Sequence, residues 1–122
     1  MPVIIDSKNR FVGTVTLTAL DVETTVIEIT GATDDYLVEG YIDLSELSSG
    51  DKVTIKEYIA VDGINYKTFI NTEFSAPLAE SVIRFHTKTL LYNHKYKVTI
   101  TQTSGTLRSF PFAFIQEIMG IA

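Results

Sequence analysis

Two histidines, His86 and His94, are the first residues in this chain able to do chemistry, and they stand eight apart across Leu90-Leu91-Tyr92-Asn93. They meet only if that segment folds back, and no HxH or HExxH spacing supplies a third ligand, so no metal site is expected. The carboxylates Asp34, Asp35, Asp43, Asp51 and Asp62 fall in segments of turn composition, where Asp bonds nearby backbone and tolerates unusual φ. The twelve-residue calcium loop with its alternating ligands is absent. Glu39, Glu57 and Glu73 lie on predicted strands, but a glycosidase pair is defined by its separation in space, so no pair is assigned. No serine sits in a GxSxG elbow, and neither a Walker loop nor a GxGxxG element occurs. The expectation is a non-enzyme with no catalytic residue, cofactor or metal.

Composition narrows the class further. The 122 residues suit one domain of 13.6 kDa, with 45% hydrophobic and 20% charged residues, which is ordinary for a globular fold. No cysteine is present, so disulfides, thiolate nucleophiles and Cys-based zinc sites are excluded together. The formal charge of −5 opposes attraction to nucleic acid phosphates and anionic lipid, so neither nucleic acid nor membrane is an expected partner. Apolar runs are far short of the roughly 20 residues of a spanning helix. Met1-Pro2-Val3-Ile4-Ile5-Asp6 carries no signal-peptide pattern, so classical secretion is not expected.

The elements that position these residues read as β throughout. Phe11 to Leu20, Thr24 to Thr30, Leu37 to Ile42, Lys52 to Val61, Ile64 to Phe74, Ser81 to Lys88, Tyr96 to Thr103 and Arg108 to Ile118 are the predicted strands, separated by turn chemistry. Tyr96, Val98 and Ile100 alternate with Lys97, Thr99 and Thr101, a core face against a wet one. Asp62-Gly63 predicts a two-residue hairpin, with Tyr58 and Tyr66 pairing across it. Leu44 and Leu47, three apart, predict a single turn plugging one end of the core. Strict alternation puts Arg84, His86 and Lys88 on one basic face opposite Ile83 and Phe85. The expected fold is all-β: an antiparallel two-sheet sandwich of jelly-roll type with about eight strands, one domain over residues 1–122, with arms at 1–10 and 118–122.

Function then falls to surfaces. Phe110, Phe112 and Phe114, spaced by two, project from one side as core first and interface second, and Pro111 among them predicts an edge or bulge. Ile118, Met119 and Ile121 at one end, with Val3, Ile4 and Ile5 at the other, either tuck onto the sandwich or dock into a neighbour. These nine residues are the candidate interface of a self-associating chain. The rival is a carbohydrate-binding or adhesion module, with exposed tyrosines stacking on sugar and Asp34, Asp35, Asn65 or Asn93 bonding hydroxyls.

Ile42-Asp43-Leu44-Ser45-Glu46-Leu47 through Gly50-Asp51-Lys52-Val53, then Arg84-Phe85-His86-Thr87-Lys88 and Tyr96-Lys97-Val98-Thr99-Ile100-Thr101-Gln102-Thr103, resemble small virion proteins of tailed viruses. That group is similar in being short, Cys-free, Thr-rich β-sandwiches. The resemblance implies a decoration, cement or tail-associated subunit, found in the virion after assembly in host cytoplasm, with a major capsid or other virion protein as partner. It carries over no functional residue.

Overall fold

A computed structural model describes residues 2–122, so Met1 of the expected N-terminal arm lies outside the described residues. Eight strands form: β1 (Val3–Thr16), β2 (Thr24–Ile29), β3 (Tyr36–Asp43), β4 (Lys52–Ala60), β5 (Lys67–Ser75), β6 (Val82–Leu90), β7 (Lys95–Ser104) and β8 (Ser109–Ile121). They make two four-stranded antiparallel sheets, ordered β1-β8-β3-β6 and β2-β7-β4-β5. Within those orders β4 pairs with β5, β3 with β6, β2 with β7 and β1 with β8. The chain is therefore one long hairpin with its tip at Asp62-Gly63, folded over itself into a jelly roll.

Alternation drives the core. Val15, Val38, Ile42, Phe85, Phe110 and Phe114 of the first sheet face Ile27, Ile55, Val98 and Ile100 of the second, all buried. Gly40 is required where β3 crosses β8, because a Cβ there would overlap the Phe114 ring. Gly105 holds φ at +89° and leaves room for the Asp51 carboxylate beside it. Asp51 is buried and gathers one end of the sandwich. It accepts the N–H of Ser48 (2.9 Å) and of Thr106 (2.9 Å), and pairs with Arg108 Nε at 2.9 Å. The Ser48 N–H, first among these, holds its carboxyl below the usual range.

Several expectations are corrected in detail. Within the expected arms at 1–10 and 118–122, residues 3–10 and 118–121 are strand: Val3 lies opposite Ile121 and Lys8 opposite Glu117. Pairing satisfies the backbone of both segments, which alternation could not reveal in Val3-Ile4-Ile5-Asp6-Ser7 because a bulge interrupts the register between Ile5 and Ser7. Leu20 lies outside β1, in the turn before Asp21. The hairpin loop runs from Val61 to Tyr66 rather than two residues, because Asp62 accepts the N–H groups of Ile64 (2.8 Å) and Asn65 (2.7 Å) and builds a wider turn. Those bonds, Asn65 first, hold the Asp62 carboxyl at about 2. Pro111 does not mark an edge strand: β8 lies between β1 and β3, and Pro111 sits one residue past the last β3 pair, Ile42 with Phe112.

Candidate functional site

The outer faces of the two sheets differ in kind. On the β2-β7-β4-β5 sheet, Glu23 accepts the hydroxyls of Tyr58 and Thr99, and Tyr66 donates to Glu28 at 2.8 Å. The Lys97 ammonium stands 5.0 Å from the Tyr58 ring and 4.5 Å from the Tyr66 ring. The two rings meet edge-on with centroids 6.4 Å apart, the expected cross-hairpin pair. The Thr99 and Tyr58 hydroxyls hold the Glu23 carboxyl down, while burial and then the glutamates push both tyrosine hydroxyls up. These six side chains satisfy one another.

On the β1-β8-β3-β6 sheet the ladders place Val12, Ala113, Tyr41 and Arg84 in one row across all four strands. Val12 is 70% exposed, Tyr41 49% and, one row away, Val82 55%. Two shallow hollows flank the row: about 260 Å³ between Arg10, Glu39, Tyr41 and Ile115, and about 340 Å³ between Val12, Asp43, Val82 and Pro111. Below the row runs a charged band, with Lys8 opposite Glu117 and with Arg10, Ile115 and Glu39 side by side. By alternation along β8, Val3, Ile5, Met119 and Ile121 extend the same face beyond that band. An apolar sheet face with polar borders is what an interface looks like before it is covered.

Of the nine predicted interface residues, Phe110, Phe114 and Ile118 are buried in the core and cannot contact a partner. Phe112 is half-buried against that core, and Met119 is half-buried at the end of β8. Val3, Ile4, Ile5 and Ile121 remain exposed, on a two-stranded ribbon rather than on free arms. The sequence pattern did not single out Val12 and Val82 or join them to Tyr41, because the three come from different strands and become neighbours only through the ladders.

The residues of the glycan reading partly converge. The loops carrying Asp35, Gly63 and Asn93 share one end of the sandwich: Asp35 accepts the Tyr92 N–H at 2.9 Å, and Gly63 lies against the Asn93 carbonyl. Asn65 is engaged by Asp62 at 2.8 Å. Tyr92 is exposed there, but Tyr41 is on the sheet face, Tyr58 and Tyr66 sit beneath Lys97, and Tyr36 and Tyr96 are buried. No coplanar tyrosine platform forms among the described residues. Burial pushes the Tyr36 hydroxyl up to about 12, and it donates to the His94 carbonyl at 2.6 Å. His94 Nδ1 accepts the Leu91 N–H at 3.1 Å, a turn contact, and His86 is exposed on β6. The basic face expected at Arg84, His86 and Lys88 is corrected: a bulge in the β3–β6 ladder turns Lys88 inward, where it pairs with Glu57 at 3.1 Å.

Strand order defines an eight-stranded jelly-roll β-sandwich, one outer face carrying a bonded polar cluster and the other an exposed apolar row bordered by charges. No protein-family model matches the chain, and no curated protein matches it. Among solved structures the chain is similar to the infectious bursal disease virus VP2 subviral particle, with a TM-score of 0.48 and 12% identity. That match covers 93% of this chain and 33% of the other, so the chain spans about a third of the length of the structure it resembles.

Proposed function

We propose that this chain is a non-enzymatic structural subunit of a virus particle, a decoration, cement or tail-associated protein that self-associates and seats on a viral shell. The observation that carries the reading is the exposed apolar face around Val12, Ala113, Tyr41 and Val82, continued by the Val3–Ile121 ribbon. A specific contact buries on the order of 800 Å² per partner, an area that a whole sheet face of a small domain can supply. The viral setting rests on the likeness of the sequence to small virion proteins and on jelly-roll architecture, a fold-level analogy.

Light scattering on the eluting protein, across a concentration series, tests self-association for the native chain and for Val12→Asp combined with Tyr41→Asp. A closed oligomer that the two aspartates dissolve supports the reading. A native chain that stays monomeric at every concentration removes self-association. Deleting residues 118–122 is not an equivalent test, because Ile118 is buried and its loss would damage the fold itself.

A further inference from the structure

Strands β5 and β6 are each an edge of their sheet, and both line one cleft on the same flank of the sandwich. Between them a cleft of about 220 Å³ opens toward the core, walled by Ile55, Ile70, Phe74, Ile83 and Phe85, with Glu57 also lining it. Glu57 is only 3% exposed, and its Oε1 accepts both the Tyr96 hydroxyl and Lys88 Nζ. Lys88 reaches this position because of the β6 bulge, and its ammonium also stands 4.9 Å from the Tyr96 ring. Both of these Glu57 contacts fall on Oε1, so Oε2 carries neither of them.

An ion pair sunk between two sheets is a poor way to stabilise a core, since well-packed apolar residues of similar volume do as well or better. The β6 bulge turns Lys88 onto Glu57, which lines the cleft, and bulges that re-aim a side chain are over-represented next to active sites. The available chemistry selects the occupant. The walls demand an apolar body. Glu57 lines the cleft, and its Oε2 can accept a hydrogen bond there. Lys88 already neutralises the carboxylate and Arg84 lines the rim, so a cationic head gains little, and Glu57 repels an anionic one. An apolar cavity of about 150 Å³ is enough to hold benzene.

We infer that this cleft binds a small neutral alcohol or phenol, its ring or chain between Ile70 and Ile83 and its hydroxyl donating to Glu57. The probe is p-cresol, with toluene as the same shape lacking the hydroxyl, read by the isoleucine methyl signals of the intact chain in NMR. The expected result is saturable movement of the Ile55, Ile70 and Ile83 methyls by p-cresol, with toluene binding about tenfold more weakly for want of the bond to a charged acceptor. Ile70→Trp, at a position 37% exposed where the fold tolerates it, fills the cleft and abolishes both effects. Methyl signals that stay still up to the solubility limit, or that move equally in Ile70→Trp, overturn the inference. Toluene binding as tightly as p-cresol overturns the role given to Glu57.

Discussion

The outer face of the β2-β7-β4-β5 sheet and that of the β1-β8-β3-β6 sheet are built on the same pleat, yet the first carries a large cluster bonded within the chain, whereas the second, apart from contacts such as Thr87 with Glu39, leaves apolar side chains exposed. Glu23, Tyr58, Thr99, Lys97, Tyr66 and Glu28 are bonded or stacked to one another, whereas Val12, Tyr41 and Val82 stand in solvent. A bonded polar cluster gains little from a partner, because docking would exchange satisfied bonds for others at a desolvation cost. Exposed apolar side chains gain by every Å² removed from water. On the proposed reading the Glu23–Lys97–Glu28 cluster is an exterior and the row of Val12, Ala113 and Tyr41 a contact.

Substitution on the apolar face should give the largest effect, and in association alone. Tyr41→Asp is expected to weaken self-association by about 100-fold, as for an aromatic at the centre of an interface, while the unfolding midpoint in urea moves little. Sedimentation equilibrium beside a denaturation curve separates the two. A large fall in stability with association intact would reverse the assignment of the faces.

Glu23→Ala should do the opposite. It strips the acceptor from Tyr58 and Thr99, and at this exposed site the expected cost is about 1 kcal/mol of stability with no change in oligomer mass. Lys97→Ala removes a cation from two rings, and the expected loss is about 0.5–1 kcal/mol, read in the same denaturation series.

The smallest contrast is in pH. The Tyr58, Tyr66 and Tyr96 hydroxyls are all held above their ordinary value, led by burial and then by Glu23, Glu28 and Glu57. A raised folded value means that this stability is fully present below about pH 10 and fades as pH rises through the folded values. Alkaline titration followed by tyrosine absorbance should therefore show the β2-β7-β4-β5 sheet loosening as these hydroxyls ionise, and Glu23→Ala should shift that loss for Tyr58.

Much of the fold was legible because it is written in period two. Tyr96, Val98 and Ile100 point inward and Lys97 outward as alternation requires, and Asp62-Gly63 sits at the hairpin tip. Alternation could not show where it stops. Bulges at Asp6, in the β2–β7 ladder between Thr25 and Ile27, and in the β3–β6 ladder each reverse the facing of the residues beyond them, and Lys88 is turned from surface to core by one of them. The candidate site was less legible still. Phe110 and Phe114 advertise themselves by spacing and are core, while the exposed row takes one residue from each of four strands, a pattern that no window of sequence contains.

The nesting of pairs from the Asp62-Gly63 tip outward also orders events in time. Closing β4 on β5 joins near neighbours in sequence, whereas β1 meets β8 only across almost the entire chain, the costliest loop to close. The row of Val12, Ala113, Tyr41 and Arg84 straddles that last pairing. A half-folded chain therefore lacks this ordered row, and on the proposed reading competence for specific subunit contact arrives together with completion of the fold. Pulse-labelled hydrogen exchange during refolding should find β4 and β5 amides protected before those of β1, with oligomer mass rising only after the latter.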